Sequence, residues 1–221
     1  MRTAPRLHGG LAARVGALFL GLVVIAVAVV FLLESRLGLA PWEVLHLGLA
    51  RHSPLSIGTA SIVVGLSVLC VSWAFGQPPG FGTVANAVVI GACVDLLLRL
   101  EHVTDLSKGG LPFRALLLVV AVGAFGLGSA LYIGAGLGAG PRDSLMLVGS
   151  RRTGIRIAGV RLTMELVVVI IGFSLGGVVG VGTLLFVLLI GPVVEASFWL
   201  LIRLGVAERT PLVERAPASQ G

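Results

Sequence analysis

Two stretches one hundred positions apart decide how this chain is read: Leu37-Gly38-Leu39-Ala40-Pro41-Trp42-Glu43-Val44-Leu45 and Leu137-Gly138-Ala139-Gly140-Pro141-Arg142-Asp143-Ser144-Leu145. Leu, Gly, Pro and Leu coincide, an acid follows each proline by two positions, and Arg51 matches Arg151 further on. Without a gap the match continues through Gly76, Gly80, Gly82-Thr83, Ile90-Gly91, Val94 and Leu100, which fall on Gly176, Gly180, Gly182-Thr183, Ile190-Gly191, Val194 and Leu200. Residues 37–100 share 17 identities in 64 with residues 137–200, where composition alone gives roughly 6. Common apolar periodicity does not align Pro, Arg, Gly-x-Gly-Thr and carboxylates, so the chain reads as an internal repeat.

The surroundings are lipid-soluble. Hydrophobic residues make up 57% of the chain and charged residues 12%, too little polar surface to coat a water-soluble globule. Six apolar runs, Val15–Leu33, Leu55–Phe75, Phe81–Leu100, Leu111–Ile133, Ile157–Leu175 and Val181–Ile202, each approach the roughly 20 residues that a helix needs to cross a bilayer. Helix is forced, because a spanning segment must satisfy its own backbone groups and the runs lack the alternation of barrel strands. Arg2, Arg6 and Arg14 before the first run, with Ala26-Val27-Ala28 inside it, imitate a secretory signal. The run is longer than such a signal and five more follow, so a retained helix is expected.

A net charge of +6 does not point to nucleic acid, since no soluble domain presents the basic residues and no aromatics interleave them. Their placement instead orients the chain. With the N-terminus in the cytoplasm, eleven of the sixteen Lys and Arg fall inside, leaving Arg36, Arg51, Arg99, Lys108 and Arg114 outside. Cys70 and Cys93 lie at different depths of their runs, beyond disulfide reach, and no metal-ligand or cofactor spacing occurs.

Three spans per copy is an odd number, so the second copy is expected to enter the membrane from the opposite face. The expected fold is an all-α membrane protein of two inverted three-helix repeats, 15–100 and 111–202. A connecting loop at 101–110, a cytoplasmic segment at 1–14 and a polar tail at 203–221 complete it.

After the first span of each copy, glycines Gly38 and Gly138 release the chain, and Pro41 and Pro141 start a short helix ending near Arg51 or Arg151. At some 11 residues these helices are interfacial or re-entrant. Glu43 and Asp143 either cap them or ligate a cation or proton. Gly80-Phe81-Gly82-Thr83 and Gly180-Val181-Gly182-Thr183 open the third span of each copy, where Thr83 and Thr183 either cap the helix or offer a hydroxyl to a ligand. Within the spans, Glu165 with Arg161 one turn earlier, Asp95 with its counterpart Glu195, and Asn86 are the polar candidates for a substrate or ion path. The competing reading is a neutralised structural pair plus carboxylates at the headgroup boundary.

The Leu37-Gly38-x-x-Pro41-Trp42-Glu43-Val44-Leu45 stretch, the Gly-Phe-Gly-Thr-Val-Ala-Asn run at 80–86 and Gly-Ala-Gly-Pro-Arg-Asp at 138–143 resemble the YczE branch of the YczE/YyaS/YitT membrane proteins. The similarity spans about residues 11–202. Members usually carry Pro-Trp-Asp, from which Glu43 departs while keeping the carboxylate. The resemblance implies a bacterial cell-membrane protein and brings no substrate or reaction with it.

Two functions fit: a transporter of a small solute or ion, as inverted repeats often are, and a non-transporting scaffold or accessory factor. An enzyme is disfavoured for want of a nucleophile–base set or metal constellation. The expected partners are the bilayer and an unidentified small solute or ion, without nucleic acid, and homo-oligomer formation is left open. A solvent-reached central cavity lined by Glu43, Asp143, Asn86 and Glu165 would favour transport; a solid bundle with an outward small-residue face would favour the scaffold.

The charge distribution predicts that a membrane-impermeant thiol reagent leaves Ala4→Cys and Ser219→Cys unlabelled on intact cells and labels both after permeabilisation.

Overall fold

The structure, a computed structural model, is described for residues 5–208; Ala4, Ser219 and the tail from 209 onward lie outside the described residues. Six helices are long and apolar enough to cross a membrane: α1 (Leu11–Ser35), α3 (Ile57–Ala74), α4 (Phe81–Leu98), α6 (Leu111–Gly134), α8 (Ile157–Ser174) and α9 (Val181–Arg203). They match the six expected runs, the largest shift being that α1 begins at Leu11 instead of Val15. The short helices follow as read, α2 at Pro41–Arg51 and α7 at Pro141–Thr153, each with its proline at the start. Between α4 and α6 the chain forms only a single helical turn, α5 (Glu101–Thr104), and a 3-10 turn at Asp105–Lys108.

Local chemistry sets the boundaries. Arg36 (φ 51°) and Gly38 (φ 125°) end α1 in left-handed conformations, and Gly136 and Gly138 (φ 62° and 137°) do the same after α6. Ser56 accepts a hydrogen bond from Thr59 N at the start of α3. Thr83 and Thr183 cap from within: each Oγ1 accepts from the amide of Gly80 or Gly180, at 3.1 and 3.2 Å.

At the centre α1 and α6 run antiparallel, packed along small residues. A Cβ on Gly21 would stand 2.6 Å from Gly128 O and 2.8 Å from Tyr132 N, so only glycine permits this approach. The ends of the pair are pinned reciprocally. Arg14, at the beginning of α1, donates to Ala135 O at 2.7 Å and Gly136 O at 3.0 Å, while Arg114, at the beginning of α6, donates to Ser35 O at 2.7 Å and Arg36 O at 3.1 Å. Each guanidinium thereby satisfies carbonyls that the other helix leaves open.

The remaining helices pack around this pair. α4 lies on α1 and α9 on α6, whereas α2 packs on α8 and α7 on α3, so the short helix of one half supports the second span of the other. Two reciprocal backbone bonds lock the halves together, Gly82 N to Leu137 O at 2.8 Å and Gly182 N to Leu37 O at 2.7 Å. Large apolar side chains, Val63, Leu116, Val119, Leu162, Ile170 and Leu188 among them, stay exposed on the outside, as lipid requires. Trp73 and Trp199 sit near span ends, where amphipathic rings meet headgroups.

A feature absent from the sequence reading joins the two ends of the described chain. Gly205 (φ 69°) turns the backbone after α9, and Ala207–Glu208 pairs antiparallel with Arg6–Leu7. The start of α1 and the end of α9 therefore occupy one face of the bundle.

Replacing Gly21 by Leu is expected to destabilise the α1–α6 contact by about 1–3 kcal/mol through overpacking. Gly123→Leu, at an exposed site on α6 with nothing within 4 Å of a Cβ, should leave the detergent melting temperature nearly unchanged, which makes it the matched control.

Candidate functional site

The loops before α2 and α7 dip into the bundle from opposite ends, so that the first turns of the two short helices meet in its middle. Both helix starts carry an acid in the first turn, Glu43 and Asp143. The Arg142 guanidinium donates to Glu43 Oε1 at 3.0 Å and lies 4.9 Å from the Trp42 ring centroid. Asp143 Oδ2 accepts from Tyr132 Oη at 2.6 Å. Glu43 thus finds its partner in the other half and Asp143 in the preceding span of its own half, neither among its own first-turn amides.

Around this junction lies a cavity of about 370 Å³. Its walls come from both halves at matching positions: Pro41 and Pro141, Glu43 and Asp143, Ser61 and Arg161, Gly65 and Glu165, Asn86 and Phe186, Ile90 and Ile190. Of the sequence candidates, Glu43, Asp143, Asn86, Arg161 and Glu165 are brought together here, along with Pro41, Trp42, Pro141 and Arg142 of the repeat motif. Arg161 and Glu165 pair at 2.8 Å on one face of α8, with the arginine side chain 44% exposed and the glutamate 16%.

The other candidates stand elsewhere. Thr83 and Thr183 are buried as caps, and a Cβ on Gly38 or Gly138 would press against the opposite threonine Oγ1 at 2.8 or 2.9 Å. Asp95 fastens the start of α3 to α4, accepting from Gly58 N at 2.8 Å, from Thr59 Oγ1 at 3.2 Å and from Ser56 Oγ. Glu195 is exposed on α9 and meets no partner among the described residues. Arg51 donates to Gly176 O and Arg151 to Gln77 Oε1, tying each short helix to a turn of the other half.

Sequence reasoning passed over four polar cavity residues. Tyr132, Ser129, His46 and Ser61 lack counterparts of the same kind at positions 32, 29, 146 and 161, so the repeat could not flag them. The usable signal was scarcity, for Tyr132 is the chain's one tyrosine and sits inside an apolar run. On α2, which does not span, burial and then the nearby Arg142 charge hold His46 well below its usual pKa, so its imidazole is neutral.

The electrostatic balance is uneven. Glu43 is 3% exposed, yet its Oε2 has no hydrogen-bond partner among the described residues. A buried acceptor without a donor costs about 1–3 kcal/mol, more when charged.

The two halves also differ at their seams. Between α3 and α4 the Gly58 and Gly91 backbones leave no room for a Cβ, and Ala87 Cβ would lie 3.2 Å from a Cβ on Gly65. Between α8 and α9, where Ala158 and Glu165 replace the glycines, the helices scarcely touch, and nothing stands within 4 Å of a Cβ on Gly191. The cavity reaches this gap, since Arg161, Glu165 and Gly191 all line it.

Residues 12–197 match the model of a family described as a family of unknown function (DUF6198). The chain is 33% identical over 204 residues, 90% of its length and 93% of the relative's, to "Uncharacterized membrane protein YczE" of Bacillus subtilis (strain 168). It is also 35% identical over 170 residues to an "Uncharacterized protein" of Haemophilus influenzae (strain ATCC 51907 / DSM 11121 / KW20 / Rd), covering 77% and 76% of the two chains. To "Uncharacterized protein YyaS" of Bacillus subtilis (strain 168) it is 24% identical over 187 residues, covering 81% and 92%. No solved structure matches.

Burial ranks the two ion pairs. Arg142→Gln strands the nearly inaccessible Glu43 but removes a side chain itself 35% exposed, and should cost about 1–3 kcal/mol, with the double change Glu43→Gln and Arg142→Gln restoring much of it. Arg161→Gln, on a half-exposed pair, should cost about 1 kcal/mol or less. Melting temperatures of the single and double variants in detergent check the order, which reverses if Arg161–Glu165 is the structural pair.

Proposed function

We propose that this chain, which belongs to the DUF6198 family, is a transporter of a small solute or ion, built from two inverted three-helix repeats with its substrate site on the pseudo-two-fold axis between them. The single observation that carries this reading is the central cavity lined by matching positions of both halves. A substrate site at a repeat interface, between the starts of broken helices, is the recurrent plan of secondary transporters. The reciprocal Arg14 and Arg114 contacts and the paired glycine–carbonyl bonds support inversion, since each is carried onto its partner by adding or subtracting one hundred.

The unequal seams supply the transport step. The α3–α4 hairpin is joined at the face that holds the start of α1, so its free ends, latched by Asp95, close the opposite face. The α8–α9 hairpin is joined at that opposite face and stands open at the first. With basic residues on the inside, this is an inward-open state. Exchange of roles closes α8 on α9, bringing Arg156 and the α8 amides to Glu195 as Ser56 and the α3 amides now meet Asp95, and releases the α3–α4 seam. A static scaffold has no need of a cavity with a half-exposed arginine at its edge.

In a Cys70→Ala and Cys93→Ala background, Gly159→Cys with Glu195→Cys is expected to form a disulfide on oxidation in membranes, because the seam closes in the alternate state. Thr59→Cys with Asp95→Cys, already in contact, is the positive control. Crosslinking of the control alone would leave α8 and α9 permanently apart and discard alternating access.

A further inference from the structure

We infer that the ligand of the central cavity is a small organic cation, an amine-bearing solute whose ammonium group pairs with the Glu43 carboxylate. This rests on the transport reading and names the substrate class for the same site.

Three carboxylates, Glu43, Asp143 and Glu165, face two guanidiniums, Arg142 and Arg161. Each guanidinium pairs with one carboxylate, Arg142 with Glu43 Oε1 while lying over the Trp42 ring, and Arg161 with Glu165 Oε1. Asp143 gives one oxygen to Tyr132. What remains is an excess of one negative charge and one acceptor, Glu43 Oε2, that is buried and unpartnered although its residue lines the cavity. A group that donates hydrogen bonds and carries positive charge completes that balance, whereas an anion would leave the buried Glu43 acceptor without a donor.

Size and lining separate an organic cation from a bare metal ion. A space of about 370 Å³ is roughly ten times the ~30 Å³ share of one water, far more than an ion closed in by its ligands needs. The Phe125 and Phe186 rings and the Met146 and Met164 thioethers complete the wall; such soft surfaces suit the alkyl body that carries an ammonium group.

The probe is butylammonium chloride, with sodium butyrate, butanol and sodium chloride as charge and shape controls, applied to the full chain in nanodiscs. Two readouts are taken: the melting temperature, and the rate at which a methanethiosulfonate reagent modifies Met146→Cys in the Cys70→Ala and Cys93→Ala background. Butylammonium at tens of millimolar is expected to raise the melting temperature and slow modification at least threefold, while the three controls do neither; in Glu43→Gln both effects should fall to those of sodium chloride, and Glu43→Asp should restore part of them. Protection in the Met146→Cys protein stands even if Glu43→Gln fails to fold. Equal protection by butanol, stronger protection by butyrate, or an unchanged response in folded Glu43→Gln would overturn the cation assignment. None of these results bears on the α8–α9 crosslink, so the substrate class and the transport reading fail separately.

Discussion

Two backbone hydrogen bonds, from the Gly82 and Gly182 amides to the Leu137 and Leu37 carbonyls, hold the architecture together. The first amides of any helix lack partners in their own helix, and in hydrocarbon no water replaces them. The loop that follows α1 or α6 has the opposite problem, with carbonyls exposed by the break before the short helix. Each loop answers the other half's amide. The bond requires backbones to touch, which explains glycine at 38, 138, 180 and 182, where an added Cβ would collide, and at 80 and 82, where it would fit only tightly. Once made, it fixes where Pro41 and Pro141 stand, and hence where the first turns of α2 and α7 converge.

Much of this was legible in the residues because lipid reduces the choices. Six long apolar runs became six helices within a few positions, and Pro41 and Pro141 marked the short helices to the residue. The shared acids at 43 and 143 pointed at the interior. What the sequence withheld was pairing between unlike positions. Arg142 occupies the place of Trp42, so the ion pair with Glu43 and the stacking on Trp42 are contacts that no self-alignment displays. Arg14 and Arg114 answer each other, yet they fall outside the aligned 37–100 block. Asp95 and Glu195 matched in sequence and diverge in place, because what separates them is the packing of α3 on α4 and the lack of it between α8 and α9. Thr83 and Thr183 illustrate the converse, a conspicuous motif spent on capping.

Energetics suggests why the interior keeps charges at all. Removing a carboxylate and a guanidinium from water costs several kcal/mol per ion, which their attraction seldom more than offsets, so an apolar pair would serve stability as well. Glu43 is kept with one oxygen satisfied and one not. Such an arrangement is poor as a strut and well suited to exchange, since an incoming donor meets an acceptor whose desolvation has already taken place.

The stacking of Arg142 on Trp42 also speaks to the history of the chain. Residues 42 and 142 are counterparts, and at 4.9 Å they meet across the proposed axis. In an antiparallel dimer of identical subunits, a residue beside the axis meets its own copy, so two tryptophans or two arginines would face each other there. Two arginines in an interior would repel, and neither arrangement offers an anchor for a single carboxylate. In the inverted-repeat reading, joining the copies in one gene lifts that restriction, since each axial position can then mutate without its twin. On that reading the unlike pair at 42 and 142 marks divergence after fusion, and a single-gene ancestor whose copies pair antiparallel would be expected to carry one residue type at that site in both of its membrane orientations.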